Sequence, residues 1–253
     1  MRRRWSEKIK QLIRPKLYTI LNPSREHYTC PICNYRGPFK DKSVYNTPNT
    51  VRTDSKCLGC GSTERHRLIH LVMHELTQSE DFGNKSVLHI APEDCLGAEL
   101  KSIFGTYETA DLFMKNVDHK EDLQNMSFED GSYDWVVISR VLTEPPTLIP
   151  CLDELRRILR PGGSALIAEI FTHEKTLEFG QVIDERAREI GIDLIDLLKD
   201  RFTTVELYKG DRYDPKYQLM NRILYDKKPK DDYPSEVVVP GVGFKDMLTI
   251  CRA

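Results

Sequence analysis

Two Cys-x-x-Cys pairs, Cys30/Cys33 and Cys57/Cys60, stand 23 residues apart in a stretch short of apolar side chains. Residues 27–64 are rich in Cys, Pro, Gly, Asn and Thr. A segment of that make-up cannot bury a core of its own and needs a staple. Each pair turns two sulfurs toward one point, and two such turns close a tetrahedral shell around an ion such as Zn²⁺. Pro31, Gly59 and Gly61 are available for the tight turns. The pattern predicts a structural metal site on Cys30, Cys33, Cys57 and Cys60, with no coordination position left for substrate. A redox site would need one pair beside a thioredoxin-like pattern, which is missing. The chain has 7 Cys, so complete internal disulfide pairing is impossible. Cys95, Cys151 and Cys251 read as ordinary buried thiols, and the usage as a whole fits a reducing, cytoplasmic setting.

The texture of the 253 residues divides them into a basic leader, 1–26, the zinc-ribbon segment, 27–64, and a larger domain, 65–253. With 40% hydrophobic residues a full-sized core can form, and a formal net charge of −2 argues against holding nucleic acid by bulk charge. No run is long enough to span a membrane. The leader begins Met1-Arg2-Arg3-Arg4-Trp5 with no apolar stretch behind it, so it does not read as a secretory signal. A basic amphipathic helix making weak membrane-surface contact through residues 1–14 is one reading; a solvated or loosely docked helix is the simpler one.

Beyond Arg65 the pattern alternates. Leu68, Ile69, Val72 and Leu76 predict a helix over 65–79, Val87–Ala91 a strand, 94–104 a helix and Tyr107–Asp111 a second strand. A short third strand is expected near Val117. Trp135–Ile138 is the strongest strand signal. A helix with a Leu148/Leu152/Leu155/Leu159 stripe follows, stopped by Pro161-Gly162-Gly163. Strands are expected at 165–171, 203–207 and 247–251, with a helix near 193–201 that Gly191 separates from a preceding one. Such alternation implies a mostly parallel sheet covered on both faces, with an antiparallel edge pair at the end.

In a sheet of this kind ligands sit beyond the carboxyl ends of the strands. The residues there are His89-Ile90-Ala91-Pro92-Glu93 after the first strand, then Asp111, then Asp122 and Leu123, then Ser139 and Arg140. An acid after the second strand can accept two hydrogen bonds from a ribose diol, and one after the third can hold an exocyclic amine. No Gly-x-Gly-x-x-Gly, P-loop or Gly-x-Ser-x-Gly motif occurs, which disfavours dinucleotide, nucleotide-triphosphate and esterase chemistry. His66, His70 and His74 recur every four residues on the first helix. A second metal on them lacks an acidic partner, and a polar helix edge is the preferred reading.

Several segments together resemble one family. They are Cys30-Pro31-Ile32-Cys33, Cys57–Arg67, Val87–Glu93, Tyr107–Leu112, Asp130–Val137 and Leu155–Gly163. The chain is similar to class I S-adenosylmethionine-dependent methyltransferases, specifically a bacterial methyltransferase-type-11-like group with an N-terminal zinc ribbon. The resemblance implies an α/β fold: a Rossmann-like seven-stranded sheet with a reversed last hairpin, beside a small zinc-ribbon module. It implies S-adenosylmethionine as cofactor, with 89–93 as the methionine-side loop, Asp111 and Leu112 at the ribose, Asp122 and Leu123 at the adenine edge, and Ser139 nearby. Two departures stand out. Ala91-Pro92-Glu93 replaces the usual glycine-rich loop, and Arg140-Val141-Leu142-Thr143-Glu144 replaces a His-Val-Leu-Glu-His run. A general base is needed only for weakly acidic hydroxyls. Glu144 and His173 are the candidates.

The methyl acceptor is expected to be a small molecule or glycan. The rivals are a non-catalytic binding protein on the same scaffold, or an RNA methyltransferase. The latter would use Tyr28, Tyr35, Arg36, Phe39, Lys40, Lys42 and Arg52 as a basic, aromatic face.

Overall fold

A computed structural model describes residues 13–43, 50–171, 173–183, 185–220, 222–225, 228–229 and 246–253. Residues 1–12, the greater part of the expected membrane-contact segment, lie outside the described residues. Residues 13–21 are helical (α1). The module follows with β1 (Tyr28–Thr29) and β2 (Arg36–Gly37), paired antiparallel, then β3 (Lys40–Ser43) and β4 (Thr50–Lys56).

Helix α2 (Glu64–Leu76) enters the larger domain, followed by β5 (Ser86–Ile90), α3 (Asp94–Ile103) and β6 (Thr106–Ala110). Next come β7 (Tyr133–Ser139), α4 (Leu148–Arg157) and β8 (Leu159–Ile170). A hairpin, β9 (Leu177–Ile183) and β10 (Arg186–Glu189), precedes the short α5 (Leu194–Lys199) and β11 (Thr204–Lys209). The last strands are β12 (Arg222–Tyr225), β13 (Lys228–Pro229) and β14 (Asp246–Arg252).

The main sheet has the order β11-β14-β8-β7-β5-β6. Strands β6, β5, β7 and β8 run parallel, and β14 runs antiparallel to both of its neighbours. This is the expected reversed edge. Six strands make up this sheet among the described residues. The third strand expected near Val117 is reduced to a single parallel bridge between Ala110 and His119. The chain is held there by side chains instead of a ladder, since Asp118 accepts from the Thr109 backbone N–H at 2.9 Å and its hydroxyl at 2.7 Å.

The alternation of the strands divides the core. Leu88, Ile90, Val136, Ile138 and Ile167 pack against Leu152 and Leu155 of α4 and Leu194 and Leu198 of α5. Val87, Trp135, Val137, Leu166 and Leu248 pack against Ile69, Val72 and Met73 of α2 and Leu96 and Leu100 of α3. Burying about a hundred square ångströms or more of each such side chain is the main stabilising term.

Two local expectations are corrected. The predicted helix before Gly191 is the β9–β10 hairpin. Arg188 and Glu178 are cross-strand partners there, joined by an ion pair at 2.7 Å. Gly191 is needed for closeness instead of helix breaking: a Cβ there would lie 2.3 Å from the Thr176 nitrogen. Pro161-Gly162-Gly163 falls inside β8 as a bulge, with Leu159 opposite Tyr133 and Ser164 opposite Trp135.

Residues 222–225 and 228–229 return to the module. Strand β12 pairs with β4, giving a four-stranded sheet of order β13-β12-β4-β3. Arg67, fully buried, fastens the two parts. It donates to the Ser55 carbonyl at 2.9 Å, the Ser62 carbonyl at 3.0 Å and the Tyr217 carbonyl at 2.8 Å, and also to the Gln218 carbonyl.

Candidate functional site

The cysteine cluster is built from two knuckles of the same design. Cys30 N–H donates to the Tyr35 carbonyl and Asn34 N–H to the Cys30 carbonyl, both at 2.9 Å. Cys57 N–H donates to the Ser62 carbonyl and Gly61 N–H to the Cys57 carbonyl, again at 2.9 Å. Asn34 and Gly61 close the turns with φ of 58° and 78°, the left-handed region that Asn and Gly tolerate best. The four sulfurs come within 4.8 Å of one another, with Cys30 to Cys60 and Cys33 to Cys57 each at 3.6 Å. Sulfurs placed tetrahedrally about 2.3 Å from one ion lie about 3.8 Å apart, whereas a disulfide needs about 2.05 Å. The donor set therefore fits a thiolate-bound metal. Gly59 leaves room for it: a Cβ there would sit 2.8 Å from the Cys33 sulfur. Its N–H also donates to the Cys57 sulfur at 3.3 Å.

The neighbouring aromatic face is largely internal. Tyr28 and Phe39 are buried, and the Arg67 guanidinium lies 4.6 Å above the Phe39 ring. Arg52 is buried too, paired with Glu64 at 3.0 Å. These three residues are structural members of the module and offer no base-stacking platform.

The parallel strands bring their carboxyl ends to one edge of the sheet. At the end of β5 the backbone turns sharply, with Ala91 at φ 50° and its N–H donating to the Ala110 carbonyl at 2.9 Å. Such a φ disfavours a side chain and keeps the backbone close to whatever lies above it. After β7, Arg140 adopts φ 58°. Left-handed residues at two adjacent strand ends are the strain expected of a functional edge.

His89 is fully buried, with Nδ1 3.0 Å from the Tyr107 hydroxyl and Nε2 3.1 Å from Glu93. Glu93 also takes Arg65 and His66 Nε2, each at 3.3 Å. Burial alone would raise the Glu93 carboxyl. Hydrogen bonds from His66 and His89 and the charge of Arg65 outweigh it and hold the group well below the usual carboxylate range. His66 Nδ1 accepts from the Thr63 N–H at 3.0 Å, so its proton sits on Nε2, facing Glu93. Arg65 also donates from Nε to the Ser139 hydroxyl at 2.9 Å. The β5 and β7 ends are thus tied through α2. His70 goes elsewhere, to Glu99 of α3 at 2.6 Å.

Asp111 follows β6 and is half-buried. Its Oδ1 accepts the backbone N–H groups of Phe113 and Met114, each at 2.6 Å, which fixes the loop and the aspartate together. Leu112 lies exposed beside it. Asp122 caps its own turn, accepting from the Gln124 N–H at 2.9 Å, while the Leu123 side chain is buried in the core. Leu123 is thus available at the edge only through its backbone.

The loop after β7 is pinned from both sides. Glu169, near the end of β8, accepts the Leu142 N–H at 3.0 Å. Fully buried Arg188 donates to the Leu142 and Pro145 carbonyls at 2.7 Å and to the Pro146 carbonyl at 2.9 Å. Burial raises the Glu144 carboxyl, helped by the negative charges of Asp111 and Glu185. His173 is engaged by Glu189 of the hairpin at 2.6 Å. Arg65, Tyr107, Glu169 and Arg188 were not picked out from sequence. Arg65 and Tyr107 left a signal, as members of the Cys57–Arg67 and Tyr107–Leu112 segments. A depression of ≈ 670 Å³ lined by Thr77–Gly83 and Ile103 lies at the amino end of β5, away from this edge.

Residues 101–167 match the protein family described as "Methyltransferase domain". The match covers about a quarter of the chain and supports the class I methyltransferase resemblance. Curated relatives include polyketide synthase-nonribosomal peptide synthetases. A polyketide synthase-nonribosomal peptide synthetase of Pyricularia grisea is 36% identical over 80 residues, 32% of this chain and 2% of its own length. A hybrid synthetase of Xenoacremonium sinensis is 28% identical over 139 residues, 55% of this chain and 3% of its own. The chain spans only a few per cent of the relatives it matches. Among solved structures, the citrinin polyketide synthase CMeT domain shares 10% identity over 78% of this chain and 54% of that one, with a TM-score of 0.48. The N-methyltransferase NodS of Bradyrhizobium japonicum shares 16% over 74% and 86%, with a TM-score of 0.44.

Proposed function

We propose that the protein is an S-adenosylmethionine-dependent methyltransferase with a structural zinc module, acting on a small-molecule or glycan acceptor. The observation that carries the reading is the strand-end edge itself: the left-handed turn at Ala91, the loop-fixed Asp111 and the turn at Asp122 stand in sequence along it. In this assignment the Ala91 backbone and the first turn of α3 face the methionine portion, with Ile90 and Pro92 flanking it. The open oxygen of Asp111 accepts from the ribose diol, and the 122–123 backbone meets the adenine edge. Glu93, engaged by His89, Arg65 and His66, and His89, engaged by Glu93 and Tyr107, hold the β5 turn in shape. When bound, the cofactor supplies a sulfonium-activated methyl group for in-line displacement, so alignment and exclusion of water are the protein's principal tasks.

The pinned 140–146 loop forms the acceptor side. Glu144, whose carboxyl is raised by burial, is the proposed base for a hydroxyl acceptor. His173 is held by Glu189 and ranks behind it. The inward placement of Tyr28, Phe39 and Arg52 speaks against RNA. Zinc is the proposed occupant of the four-thiol shell.

The test is release of S-adenosylhomocysteine from S-adenosylmethionine in the presence of fractionated acceptors. Turnover with a metabolite or glycan fraction supports the proposal. Turnover with RNA alone removes the acceptor assignment.

A further inference from the structure

Helix α1 sits on the protein with its polar side inward. Pro15, Tyr18, Thr19 and Asn22 are the part-buried positions, and the Arg25 guanidinium lies 5.8 Å over the Tyr18 ring. The opposite side carries Ile13, Leu17, Ile20 and Leu21, exposed by 55%, 51%, 73% and 69%. Their spacing places them on one arc of about 100°. A soluble helix normally does the reverse, and an apolar stripe facing water marks a surface awaiting a partner.

Charge identifies the partner. Residues 1–21 hold Arg2, Arg3, Arg4, Lys8, Lys10, Arg14 and Lys16 against Glu7 alone, a balance of 7 − 1 = +6 in a chain whose net charge is −2. The rest of the chain is therefore −8, so in sequence the positive charge is concentrated in the segment that carries the apolar stripe. Two copies meeting through this face would bring both clusters together and repel. An anionic lipid surface satisfies both features, because the cations find phosphates while the apolar side chains enter the headgroup boundary. Trp5, in the same segment, is a residue type favoured at that depth. No helix among the described residues is long and apolar enough to cross a membrane. We propose that the N-terminal segment docks the protein on anionic lipid, with helix α1 lying in the plane of the interface. The proposal is independent of the methyl-transfer reading.

The experiment is co-sedimentation of the full chain with vesicles of phosphatidylcholine alone, or of phosphatidylcholine with about one-third phosphatidylglycerol. Binding to the mixed vesicles is expected to be at least about tenfold tighter and to weaken with added salt. The double variant Ile20→Glu/Leu21→Glu, at exposed positions that leave the fold intact, is expected to lose it while melting like the parent. Absence of binding to the mixed vesicles, equal binding to both compositions, or binding undiminished in the variant would each overturn the proposal. So would a lipid-free dimer that the same variant dissociates, since a second copy would then be the occupant.

Discussion

A buried carboxyl group with one oxygen sealed from every donor lowers its energy by keeping its proton. Glu169 is in that position: Oε1 takes the Leu142 N–H, Oε2 is buried without a partner, and burial raises its pKa to about 7 despite the charges of Arg140 and Arg65. Between the ordinary value near 4.5 and about 7 the folded chain holds a proton that the unfolded chain has released. Stability therefore falls as pH rises through that window, by about 3 kcal/mol in total. Glu169→Gln keeps an acceptor for Leu142 and carries no charge, so it is expected to flatten this slope and to melt above the parent at pH 8. Denaturant titrations at several pH values check it, and an unchanged slope would mean that Glu169 ionises freely. Sequence reading singled out Asp111 and Glu93 because they follow strands. It passed over Glu169, because an acid inside an apolar run shows neither its burial nor the distant N–H it serves.

At the scale of elements, the two knuckles are the best-specified parts of the molecule. Their spacing was legible because each is local: six residues close one turn, and the turn dictates Cys, Gly and Asn. Gly59→Ala puts a methyl group against the Cys33 sulfur, and a shell that tight has nowhere to shift. The variant is expected to bind zinc at least about tenfold more weakly while the main sheet persists. Competition with a chromophoric chelator measures it, and parental affinity would show that the shell is looser than the geometry says. The β9–β10 hairpin was misread for the opposite reason. Its charges pair across the strands and its buried Arg188 reaches carbonyls of a loop more than forty residues earlier, so nothing in a short window distinguishes it from a charged helix.

For the whole molecule, the alternation of strands and helices was legible from the hydrophobic period, and the antiparallel pair at the sheet's edge from late strands with no obvious helix between them. The return of 222–225 to the module was not, because strand pairing between residues about 170 positions apart leaves no periodic trace. That return, together with Arg67, makes the module part of one cooperative unit. Metal removal is accordingly expected to lower the melting temperature of the entire protein by several degrees or more in a single transition. Calorimetry with and without a chelator decides it, and a main transition unmoved by the chelator would show a module that folds apart.

The central claim is that the strand-end edge holds S-adenosylmethionine with Asp111 at the ribose. Titration calorimetry of the metal-loaded protein with S-adenosylmethionine tests it most directly, using Asp111→Asn as the partner variant. Asn keeps an oxygen for the Phe113 and Met114 N–H groups and replaces the other with a donor, so the loop survives while the diol contact does not. Saturable binding at one site, weakened about tenfold or more in the variant, is the predicted result. A folded, metal-loaded protein that gives no binding isotherm, or a variant that binds as the parent does, would contradict it.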